Sequence, residues 1–155
     1  MQLSLSEIIQ KTIEKQGPIS FRDFMEMALY YPELGYYTSA GNKIGKKGDF
    51  YTSPYLTNAF GHVIATQLEE MWQLTGKNDF TIVEYGAGLG SLCIDILSQL
   101  KANRKFYKKL KYCIIEKSEA MRAKEQHAFT NLHLCEKVSW YNSIKEIPSF
   151  TGCVV

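Results

Sequence analysis

The chain has no C-x-x-C pair, no apolar run near the roughly 20 residues that cross a bilayer, and little excess charge of either sign. Cys93, Cys113, Cys135 and Cys153 stand about twenty residues apart with no histidine at ligand spacing, which excludes the common zinc and redox motifs. Reduced thiols, mostly buried as small apolar side chains, and no bound metal are therefore expected. A net charge of +2 is too weakly basic to argue for nucleic acid by itself. Met1-Gln2-Leu3-Ser4-Leu5-Ser6 lacks the basic and apolar regions of a signal peptide, so a cytoplasmic, bacterial-type protein without a membrane span is the default expectation.

What is present suits one globular domain: 155 residues, 45% of them apolar and 22% charged. Its organising stretch is Phe80-Thr81-Ile82-Val83-Glu84-Tyr85-Gly86-Ala87-Gly88-Leu89-Gly90-Ser91, an apolar run that ends in an acid and breaks into alternating glycines. It reads as a strand, a tight turn and a helix start, with glycines that let a ligand approach the main chain closely.

Upstream, Ser6 is the expected cap of a helix carrying Ile8, Ile9 and Ile13, stopped by Gly17-Pro18. Ser20 and Asp23 form a box-like cap for a second helix with Phe21, Phe24, Met25, Ala28 and Leu29 on one face, ended at Tyr30-Tyr31-Pro32. Residues 33–54 are rich in tyrosine, glycine and lysine, and a loop of that length is more often a lid or binding loop than filler. Thr57 is the expected cap of a longer helix reaching Thr75, with Gly76 after its end.

Downstream, Leu92, Ile96, Leu97 and Leu100 mark the helix after the glycine turn. Residues 101–111 are a basic connection, read as a solvated surface rather than a nucleic-acid contact. Tyr112 to Glu116 is a second strand ending in an acid, Ser118 caps a helix through Phe129, Val138 to Tyr141 is a third short strand, and Gly152 opens a fourth. Strands and helices alternating in this way predict an α/β fold with a parallel sheet. A last strand at the C-terminus would leave an open apolar edge, so a fragment or truncated product of a longer chain is expected.

Two ligand classes use a strand, glycine turn and helix: dinucleotides and S-adenosylmethionine. The dinucleotide pattern is G-x-G-x-x-G, whereas here the glycines alternate and Ser91 occupies the third position. Glu84, two residues before Gly86, would repel a pyrophosphate and attract an ammonium group. Glu116, ending the next strand, can accept both ribose hydroxyls. The residues alone leave three readings open: a methyltransferase, a dinucleotide-dependent oxidoreductase, and a noncatalytic interaction module on the same fold.

Gly17-Pro18-Ile19-Ser20-Phe21, Tyr31-Pro32-Glu33-Leu34-Gly35-Tyr36-Tyr37, Gly48-Asp49-Phe50-Tyr51-Thr52-Ser53-Pro54 and the Glu84 to Gly90 turn together resemble, in that order, the N-terminal half of the MidA-like methyltransferases. That family uses S-adenosylmethionine and includes a mitochondrial assembly factor of respiratory complex I. The resemblance implies a helical N-terminal segment over residues 1–78, with a lid over 33–54, followed over 79–155 by the first half of a Rossmann-like class I methyltransferase sheet. It implies S-adenosylmethionine as cofactor and, from the mitochondrial members, a protein substrate methylated on arginine. The candidate cofactor residues are Glu84, Gly86, Ala87, Gly88, Gly90 and Glu116, with Tyr141 and Asn142, just after the third strand, as weaker candidates for the adenine, and the resemblance adds Asp49 and Thr52 from the lid as polar contacts. The family's Asn-Glu and Asp-Ala-x-Pro segment does not occur before Val155, so the catalytic residues are expected beyond that point.

Overall fold

A computed structural model describes residues 3–39, 41, 43, 45, 48–50 and 53–155. The elements run α1 (Leu5–Gln16), α2 (Phe21–Tyr30), α3 (Ser53–Leu56), α4 (Ala59–Leu74), β1 (Phe80–Tyr85), α5 (Ser91–Leu100), α6 (Arg104–Lys109), β2 (Leu110–Ile115), α7 (Glu119–Asn131), β3 (Val138–Tyr141) and β4 (Gly152–Val154). The four strands form one sheet in the order β3-β2-β1-β4, every neighbouring pair parallel.

Strand alternation divides the side chains between two faces. Phe80 and Ile82 of β1, Tyr112 and Ile114 of β2 and Val138 of β3 join Leu68 and Trp72 of α4, Ile96 and Leu97 of α5, Phe106 of α6 and Phe129 of α7 in one core. Trp72 stacks on Phe106 at 4.7 Å, Phe106 meets Phe80 edge-on, and the Trp72 indole donates to the Asn78 carbonyl at 2.7 Å. On the opposite face Val83, Cys113 and Ile115 pack against Tyr141, Ile147 and Phe150. Because α4 shares the core of the sheet, packing does not separate the chain at residue 78.

Several boundaries move from their expected places. The α1 cap is Ser4, in a reciprocal box with Glu7, because Glu7 falls three residues after Ser4; Ser6 lies inside the helix. Asn58 rather than Thr57 precedes α4, although the Thr57 hydroxyl still accepts from the Ala59 N–H. The basic connection is largely α6, organised by the fully buried Phe106, and β2 begins at Leu110. Cys93 and Cys113 are buried, while Cys135 is exposed, so burial holds for fewer thiols than expected. No described helix is long and apolar enough to cross a membrane.

Candidate cofactor site

Strand order reverses at β1, which has β2 on one side and β4 on the other, and open α/β sheets bind ligands outside the carboxyl ends of strands at such a point. A cavity of about 620 Å³ lies there, lined by Glu84, Tyr85, Gly86, Ala87 and Gly88 from β1 and its turn, Glu116 after β2, and Asn142 after β3.

The glycine turn is made by three left-handed residues, Gly86, Gly88 and Gly90, with φ of 64°, 66° and 78°. Two of them have separable duties. A Cβ on Gly86 would meet no atom within 4 Å, so this position opens onto the cavity, whereas a Cβ on Gly90 would lie 2.5 Å from the Phe129 ring of α7. Gly90 is accordingly a packing glycine and does not line the cavity.

Glu84 is buried, and its Oε2 accepts the Tyr112 hydroxyl at 2.7 Å. Burial pushes its pKa up to about 7, a rise the Tyr112 hydrogen bond only partly opposes. Behind it, Glu125 of α7 is fully buried; its Oε2 accepts the Trp140 indole N–H at 2.7 Å, and its Oε1 has no partner among the described residues. Burial pushes Glu125 up to about 8. Glu116 is also buried, with Oε1 accepting the Ser118 N–H at 2.7 Å. Desolvation raises its pKa against the lowering effect of Ser118 and Arg122.

The predicted residues Glu84, Gly86, Ala87, Gly88, Glu116 and Asn142 therefore converge on one cavity. Tyr141 does not, because strand alternation turns it to the opposite face against Val83, Cys113 and Ile115. Asp49 is not in the cavity lining; its carboxylate accepts the Tyr36 hydroxyl. Thr52 lies outside the described residues.

The cavity also takes residues that the sequence reading did not assign. Tyr30, Tyr37 and Phe50 form an aromatic wall, with Tyr37 stacked on Tyr30 at 5.5 Å and on Phe50 at 6.3 Å. Lys117 lies over the Tyr30 ring and pairs with Glu26 at 3.4 Å, while the Ser118 hydroxyl donates to the Tyr37 carbonyl at 3.0 Å. These contacts tie the N-terminal segment to the end of β2. Tyr37 and Phe50 belong to the expected lid, whereas Tyr30, at the end of α2, carried no signal of its own.

Residues 63–155 match a family model described as "Putative S-adenosyl-L-methionine-dependent methyltransferase". The chain is 30% identical over 163 residues to a mouse protein named protein arginine methyltransferase NDUFAF7, mitochondrial, covering 88% of this chain and 36% of that protein. It is 30% identical over 165 residues to a Caenorhabditis elegans protein named as a homolog of that enzyme, covering 93% of this chain and 38% of that protein. A Burkholderia thailandensis crystal structure bound to S-adenosyl-homocysteine aligns with a TM-score of 0.79 at 26% identity, over 97% of this chain and 40% of its own. The chain thus spans well under half the length of these relatives.

Proposed function

The chain belongs to this S-adenosyl-L-methionine-dependent methyltransferase family, and from that premise we propose that it holds the methyl donor in the cavity at the carboxyl ends of β1 and β2. The observation that carries the reading is one cavity joining a glycine turn open to a ligand with two buried carboxylates, Glu84 and Glu116. Its volume falls in the range that encloses a ligand of cofactor size.

When bound, the cofactor supplies a methyl group on a sulfonium, open to displacement by a nucleophile. Glu84 takes the ammonium of its amino acid part, which would supply a counter-charge and draw the Glu84 carboxyl back toward its ionised form. Gly86, Ala87 and Gly88 let the main chain approach the ligand, and Gly90 holds the turn against α7. Glu116 receives the ribose hydroxyls, with Ser118 fixing its other oxygen. Asn142 meets the adenine, and Tyr37 and Phe50 close the cavity from the lid. Asp49 we assign to bracing the lid through Tyr36, while Thr52 stands as a lid contact on the family resemblance alone. In functional terms, residues 1–78 provide the cover and 79–155 the cradle.

The relatives' name supports a protein arginine as methyl acceptor, and the family resemblance suggests a respiratory complex subunit or a related protein as its bearer. The residues described here hold and orient the donor, so that transfer proceeds from a fixed geometry.

Calorimetry with S-adenosyl-homocysteine tests the ribose assignment. Glu116→Ala should weaken binding at least about tenfold, the loss expected when a charged hydrogen-bond acceptor is removed. Wild-type binding that this substitution leaves unchanged would overturn it. Tritiated methyl transfer into a protein, with the labelled residue identified, tests the acceptor; label on a residue other than arginine would contradict that assignment.

A further inference from the structure

One stripe of α7 touches the lid, the glycine turn and the ends of β2 and β3. Counting from the cap, Ser118, Arg122, Glu125 and Phe129 recur at helical spacing on one face. Ser118 bonds the Tyr37 carbonyl of the lid, Glu125 bonds Trp140 of β3, Phe129 lies against Gly90, and Arg122 bonds the ends of β2 and β3. Ser118, Glu125 and Phe129 act on packing, on backbone and, through the Ser118 N–H, on the Glu116 carboxylate. Arg122 alone reaches two residues assigned to the ligand.

We propose that Arg122 is a positioning residue for the nucleoside half of the cofactor, a role that rests on the methyl-donor reading above. Its Nη2 donates to the Glu116 carbonyl at 2.7 Å and to Asn142 Oδ1 at 2.8 Å. One guanidinium nitrogen therefore sets the separation between the acid given to the ribose and the amide given to the adenine. It also fixes how the amide is turned. With Oδ1 engaged by Arg122, the Asn142 Nδ2 donors are left for an acceptor on the base. The Asn142 backbone N–H is engaged elsewhere, donating to Glu146 Oε2. Arginine suits the task, since its guanidinium is planar, permanently charged and holds its donors in a fixed fork.

The test compares two probes, S-adenosyl-homocysteine and 5′-methylthioadenosine, which shares the nucleoside but lacks the amino acid group. Arg122→Met should weaken both by the same factor, roughly tenfold, because the lost positioning lies in the part they share. Arg122→Lys, which keeps the charge without the fork, should lose less. Glu84→Gln should weaken S-adenosyl-homocysteine alone. Thermal melts accompany each variant, and if Arg122→Met does not fold, Arg122→Gln carries the same comparison. Equal binding of both probes by wild type and the Arg122 variants would overturn the positioning role while leaving the methyl-donor reading intact. A loss confined to S-adenosyl-homocysteine would also overturn it. Failure of the wild type to bind either probe would overturn the methyl-donor reading and this role with it.

Discussion

Glu84 and Glu125 are buried acids that each have one side-chain hydrogen-bond donor among the described residues, the Tyr112 hydroxyl and the Trp140 indole. Both are held above the ordinary carboxyl value of 4.5, at about 7 and about 8. Between pH 4.5 and 8 the folded chain therefore keeps protons that the unfolded chain releases, and stability falls as pH rises through that window. Gln at position 125 copies the protonated acid and still accepts from Trp140. Urea denaturation should accordingly place Glu125→Gln within about 0.5 kcal/mol of wild type near pH 5 and about 2 kcal/mol above it near pH 8.5, where the wild-type acid is ionised with its Oε1 unpartnered among the described residues. Parallel stability curves for the two proteins would contradict this account. The placement of Glu84 and Glu116 was readable in the sequence because each closes an apolar strand. Glu125 was not, since an acid in a helix reads as a solvated residue until β3 is laid over it.

The glycine turn and α7 form a joint at the scale of elements. Gly90→Ala places a Cβ at φ 78° and within 2.5 Å of the Phe129 ring, combining left-handed strain with overpacking. A loss of about 3 kcal/mol in stability is expected from the two effects. Gly86→Ala carries left-handed strain without a clash, so it should lose about 1 kcal/mol and instead reduce cofactor binding, because the new methyl group faces the cavity. Denaturation and S-adenosyl-homocysteine titration of the pair separate the duties; equal stability losses would contradict the division. The strands and the helices capped by Ser20 and Ser118 were readable because their signals are local: apolar runs, caps and breakers. α3 and α6 were missed because they are too short for a periodic stripe. The start of β2 was missed because Lys111, exposed on the far face, interrupts the apolar run. The Asp49 assignment did not survive as a cavity contact, since its partner Tyr36 comes from another part of the loop.

For the whole molecule, the N-terminal segment and the sheet meet over the cavity through Ser118 and Tyr37, Lys117 and Glu26, and the Tyr30, Tyr37 and Phe50 wall. Those contacts join residues far apart in sequence, so no local pattern could forecast them. The alternation of glycines, with Ser91 in the third-glycine position and Glu84 before the turn, favoured a sulfonium cofactor over a dinucleotide, because that acid would repel a pyrophosphate. Titration of this chain with each of the two rival cofactors decides between them. Titration calorimetry should show S-adenosylmethionine binding at one site and no measurable heat with NAD. Binding of NAD, with none of S-adenosylmethionine, would contradict the account.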